Sequence, residues 1–94
     1  MARLVSPLNF RSAALLRGDE SMFDKAVELI RLERSRQDAK WGEQRHMPLY
    51  WLAILMEEVG ELAKVILEND ALGMRHELVH VAAVAVAWLE CLVG

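Results

Sequence analysis

The stretch Trp51-Leu52-Ala53-Ile54-Leu55-Met56-Glu57-Glu58-Val59-Gly60-Glu61-Leu62 decides the fold. Residues three or four apart are neighbours on a helix. At that spacing Glu58 has Ile54 and Leu62 one turn away on either side and Leu55 beside it, with Trp51 and Val65 two turns away. The segment therefore reads as a helix carrying a carboxylate within an apolar stripe, and Glu61 adjoins that carboxylate. Burying an unpaired carboxylate costs roughly several kcal/mol, which proteins avoid by shifting the pKa, pairing the charge or binding a metal. Only Lys64 and Arg75 are basic and close in sequence, so a divalent cation is expected at this face.

Working outward, a second cluster, Glu77-Leu78-Val79-His80, repeats the pattern. Glu77 shares a stripe with Val81, Val84 and Trp88, and His80 lies along Ala83, Val84 and Ala87. The spacing predicts three helices and no sheet. Ser21 followed by Asp24 suits an N-terminal cap, after which Phe23, Ala26, Val27 and Ile30 recur at helical spacing until the pattern fails near Gly42. Pro48 suits the first turn of a second helix ending near Glu68, where Asn69-Asp70 and Gly73 read as a stop and a short turn. The third helix is expected from about Met74 to Val93. Short connections make the helices antiparallel neighbours.

The second and third helices are apolar over more of their circumference than one partner can cover, which predicts association with further copies of the chain. Val79, Ala82, Ala83, Val86 and Ala87 offer small side chains for close helix approach, so the third helix is the first candidate interface. The alternative is that the N-terminal arm covers this surface within one chain. The expected architecture is all-α: three main helices forming a bundle completed by homo-oligomerisation, with residues 1-20 as an N-terminal arm and 21-94 as the helical domain.

Composition narrows the class. At 94 residues and 54% hydrophobic the chain is one domain. Eleven basic against 14 acidic residues give a net charge of −3, and no Lys/Arg run would track a phosphate backbone, so polymeric nucleic acid is not an expected partner. The single Cys91 sits in an apolar run and reads as a buried thiol in a reduced, cytoplasmic compartment. The run from Leu78 to Val93 falls short of the ~20 residues a membrane span needs and contains His80 and Glu90, so no membrane is expected. The first twenty residues carry Arg3, Arg11 and Arg17 and no acid before Asp19, faintly like a transit peptide, but they lack the apolar core of a secretory signal. The simpler reading is an arm that packs on the domain or on a partner subunit.

Four motifs in order carry a resemblance: Glu33-Arg34-x-Arg36-Gln37-x-x-Lys40-Trp41-Gly42, then His46-x-Pro48 entering a helix, then Glu57-Glu58-x-x-Glu61-Leu62, then Glu77 opening the last. From Glu28 to Glu90 the chain resembles the all-α, MazG-like nucleoside triphosphate pyrophosphohydrolases. In that family the acidic motifs E-E-x-x-E and E-x-x-D face each other across a helix pair and bind Mg²⁺. The resemblance implies Glu58, Glu61 and Glu77 as metal ligands, and Glu57 as an outer-shell group or one that helps position water. At position 80 the chain departs from the pattern, with His80 in place of aspartate. Mg²⁺ prefers oxygen ligands, and imidazole suits Mn²⁺ or a heavier transition ion better. His80 is read three ways: as a ligand to a softer metal, as a hydrogen-bond donor to Glu77 or phosphate, or as a helix-face histidine in a site without activity.

Such a site neutralises polyphosphate charge while a carboxylate, Glu57 or Glu58, orients or deprotonates water. Attack at the α-phosphorus yields a monophosphate and pyrophosphate. Lys40, Arg45 and Lys64 are the candidate cations for the phosphates. Trp41 is placed to stack on a base, with Gln44 and His46 to hydrogen-bond base or ribose; Tyr50 and Trp51 follow at the start of the second helix. Three functions are expected from these residues: a metal-dependent nucleotide pyrophosphohydrolase in nucleotide housecleaning, a nucleotide-binding or sensing protein on the same scaffold without catalysis, or a helical interaction module with solvated acids.

Overall fold

A computed structural model describes residues 20–94, and the expected N-terminal arm lies outside these residues but for Glu20. Three helices follow in order: α1 (Met22–Trp41), α2 (Pro48–Leu67) and α3 (Ala71–Val93). Ser21 caps α1, its hydroxyl oxygen accepting from the Asp24 N–H at 3.0 Å. Gly42 ends it at φ 73°, the left-handed region that glycine enters without a Cβ penalty, and its N–H donates to the Asp38 carbonyl at 2.8 Å. Pro48 occupies the first turn of α2 as expected.

The third helix begins three residues earlier than its sequence suggests. Asp70 is its N-cap and accepts from the Gly73 N–H at 2.8 Å, so Gly73 lies in the first turn and is not part of the connecting turn. A Cβ on Gly73 would fall 2.4 Å from Asp70 Oδ2, so glycine gives the capping carboxylate its room. At 23 residues α3 is long and apolar enough to cross a membrane by length and composition, which the run counted from Leu78 was too short to do. In the fold it is the helix on which both others pack: α2 lies along it as the second arm of a hairpin, α1 crosses it separately, and α1 and α2 do not pack on each other.

That arrangement leaves an open cleft between α1 and α2, floored by α3. Ala83 and Val84 on α3 and Trp51 on α2 are the buried apolar residues among those described. Trp51 lies parallel to Trp88 at 6.5 Å between ring centroids and meets His46 edge-on at 4.8 Å. Of the small residues expected at a subunit interface, Ala83 is fully buried within the chain and Val79, Ala82, Val86 and Ala87 are partly covered, because α3 is the centre of the fold. Large apolar side chains remain exposed instead, among them Leu49 (77% exposed), Leu52 and Met56 on α2 and Leu78 and Leu89 on α3. Cys91 is half-buried, a correction to the expected buried thiol.

Candidate functional site

Each helix contributes one carboxylate to a common point. Glu33 stands in the middle of α1 with Leu29 and Ile30 a turn before it, Glu58 in the middle of α2, and Glu77 in the second turn of α3. They converge on the imidazole of His80. Its Nε2 lies 3.5 Å from Glu33 Oε2, and its Nδ1 lies 3.5 Å from Glu58 Oε2 and 3.4 Å from Glu77 Oε2. The Glu33 pair is off hydrogen-bond geometry, so the buried Nε2 has no hydrogen-bond partner among the described residues.

The acids differ in how they are compensated. Glu33 is only 8% exposed and accepts two hydrogen bonds from Arg36, Nε at 2.8 Å and Nη2 at 2.6 Å, plus one from Gln37 at 3.3 Å. The Arg36 bonds hold its pKa below the ordinary carboxylate value against the opposing effect of burial, with the His80 charge assisting. Glu58 has no such donor among the described residues. Burial raises its pKa; His80 works against the rise, and the carboxylates of Glu77, Glu57 and Glu61 add to it. Neither Lys64 nor Arg75 forms an ion pair with these acids among the described residues.

The cleft above this ring is a cavity of about 320 Å³ reached by Arg36, Lys40, Trp41 and Gln44 as well as by Glu33, Glu58 and His80. Trp41 is 60% exposed, with the Lys40 ammonium 4.8 Å from its ring centroid. A second cavity, about 540 Å³, lies away from this centre between the C-terminal ends of α1 and α3 and the connector. Gln37, Gln44, Trp51 and Ala87 border both spaces, so the two adjoin.

Of the residues expected at a site, the fold brings together Glu58, Glu77 and His80, and it sets Lys40, Trp41 and Gln44 around the same cleft. Glu57 and Glu61 are exposed and reach this centre only through their charge on Glu58. His46 is held by Gln44 Oε1 at 2.8 Å and packs edge-on against Tyr50 and Trp51, so it supports the cleft wall. Lys64 is exposed near the end of α2 and lines none of the described cavities, and Arg45 borders only the larger one.

Two residues at this centre were absent from the expected set. Glu33 carries the same signal that marks Glu58, a carboxylate with apolar neighbours at helical spacing. His76 lies one turn before His80, with ring centroids 4.3 Å apart. Its signal is the run His76-Glu77-Leu78-Val79-His80, two histidines at i and i+4. No family model, curated protein or solved structure matches this chain.

Proposed function

We propose that the chain is a metal-dependent nucleoside triphosphate pyrophosphohydrolase of the MazG-like kind, with the nucleotide lying across the cleft between α1 and α2. The observation that carries this reading is the convergence of Glu33, Glu58 and Glu77, one from each helix, beneath a mouth that presents a cation, an exposed indole and an amide. The ion fits with a qualification of type: Mg²⁺ favours an all-oxygen octahedron, whereas carboxylates with the His80 imidazole suit Mn²⁺ better. Glu58, Glu77 and His80 are the residues placed to hold it, and when bound it neutralises charge on the phosphates.

The remaining work falls to the chain. Lys40 engages phosphate, Trp41 stacks on the base, and Gln44 bonds its polar edge. Glu58 accepts a proton from the attacking water. A bond forms from that water to the α-phosphorus, the bond to the bridging oxygen breaks, and pyrophosphate leaves a nucleoside monophosphate. Leu49, Leu52 and Met56 form an exposed stripe on α2 with the 3-4 spacing of a helix-packing seam, which supports a homodimer or homotetramer.

A second reading has its own observation. His80 stands where the three carboxylates meet, so a protonated imidazole is itself a cation at that point, and the scaffold then binds nucleotides without hydrolysing them. Incubation with ribo- and deoxyribonucleoside triphosphates and Mg²⁺ or Mn²⁺, followed by ion-exchange separation of products, distinguishes the two. Monophosphate plus pyrophosphate, lost in Glu58→Gln, is the expected result. No turnover with either metal, gained in His80→Asp, favours the binding protein.

A further inference from the structure

We infer that α3 carries a transition-metal site made by His76, Glu77 and His80, suited to Zn²⁺ or Co²⁺ rather than Mg²⁺. One ligand atom from each of the three lies within 4.8 Å of the other two. The spacing supplies the reason: residues i and i+4 stack on one helix face, so both imidazoles are delivered to the same side without any loop having to order itself. Two imidazoles and a carboxylate are a donor set that zinc sites use, with the fourth position left for water or a ligand. A hard ion gains little from the nitrogens.

A second observation points the same way. The His80 Nε2 is buried without a hydrogen bond among the described residues, a cost that a bound cation removes. The surroundings suit a metal-bound imidazole. Glu58 Oε2 lies 3.5 Å from His80 Nδ1, ready to take the N–H of that nitrogen when Nε2 turns to the ion. Access is available, because His76 is exposed and both histidines border a cavity of about 330 Å³ between α1 and α3, which adjoins the cleft between α1 and α2 at Glu33, Arg36 and His80. The site shares Glu77 and His80 with the proposed hydrolase centre but does not depend on that reading, since no nucleotide enters the argument.

The test uses the full chain with metal alone. Co²⁺ titration is expected to develop visible d–d absorption that saturates at one equivalent and is displaced by Zn²⁺, and Zn²⁺ is expected to raise the melting temperature where Mg²⁺ does not. His76→Gln, at an exposed position that leaves the fold intact by circular dichroism, weakens Co²⁺ binding at least ~10-fold, as does Glu77→Gln. His46→Gln, on the connector, leaves it unchanged. The inference is overturned if no saturable band appears, or if His76→Gln or Glu77→Gln binds as tightly as the parent chain. Either failure leaves the hydrolysis assay to stand on its own result.

Discussion

Neighbouring residues of α1, Glu33 and Arg34, reach two clusters of opposite character. Arg34 is a cation answered by carboxylates: its Nε donates to Glu90 at 2.7 Å, its Nη2 lies 3.1 Å from Asp38, and Nη1 donates to Gln37 at 3.0 Å. Glu90 and Asp38 are more than half exposed and lose little hydration in the process. At Glu33 the balance is reversed. Three carboxylates surround one imidazole, Glu58 is pushed towards its neutral form, and a buried ring nitrogen has no hydrogen bond among the described residues. The first cluster fastens α1 to α3. In the second, Arg36 pairs Glu33 but Glu58 and Glu77 have no guanidinium or ammonium partner among the described residues, the condition under which sites bind cations and tune general bases.

The contrast breaks most easily at Glu58. Under the hydrolase reading Glu58→Gln lowers metal-dependent pyrophosphate release by at least ~100-fold, the range of a lost general base, with little loss of fold. A variant that unfolds instead would make Glu58 structural. Arg34→Ala is expected to do the converse, costing about 1–3 kcal/mol in urea denaturation through lost charged hydrogen bonds and helix packing, with the site's chemistry retained.

The pH dependence sharpens the comparison further. Glu58 has a raised folded-state pKa, so its contribution to stability is present at acid pH and fades as pH rises through that raised value. Glu58→Gln therefore gains stability relative to the parent chain as pH climbs from the ordinary carboxylate range towards neutrality. Glu33 is lowered, and its contribution is present above the ordinary carboxylate pKa and lost as pH falls through the folded value. Glu33→Gln should show its deficit at neutral pH and lose it in acid. Chemical denaturation of both variants across that range reads the opposite slopes, and parallel slopes would remove the distinction between the two acids. The smallest effect is expected remote from both clusters: Asp70→Ala removes the α3 cap and costs about 1 kcal/mol, with neither hydrolysis nor metal binding altered.

Much of this is legible in the sequence. Ser21 as a cap, Pro48 in the first turn of the second helix and the break at Gly42 follow from residues within four positions of one another. Asp70 was misread as turn because Gly73 resembles a stop signal, yet that glycine makes room for the capping carboxylate. The apolar surroundings of Glu58 and Glu77 marked both as site acids. Glu33 was read only as the opening of the Glu33-Arg34-x-Arg36-Gln37 motif, although Leu29 and Ile30 a turn before it carry the same apolar mark. Trp41 was the expected stacking surface, with Trp51 only following at the start of the second helix. Their separation into an exposed indole at the cleft mouth and a 3%-exposed anchor stacked on Trp88 depends on which face α3 covers.

Local sequence alone settles three helices, the Ser21 cap, the Pro48 first turn and the acid-bearing faces of α2 and α3, since these rest on interactions between residues a turn or less apart. The central place of α3, the meeting of Glu33 with Glu58 and Glu77 around His80, and the reach of Arg34 to Glu90 across 56 positions of chain come from packing between helices. Helical periodicity specifies which way a side chain points from its own axis. Which axis it meets is set by how three amphipathic surfaces share one limited core.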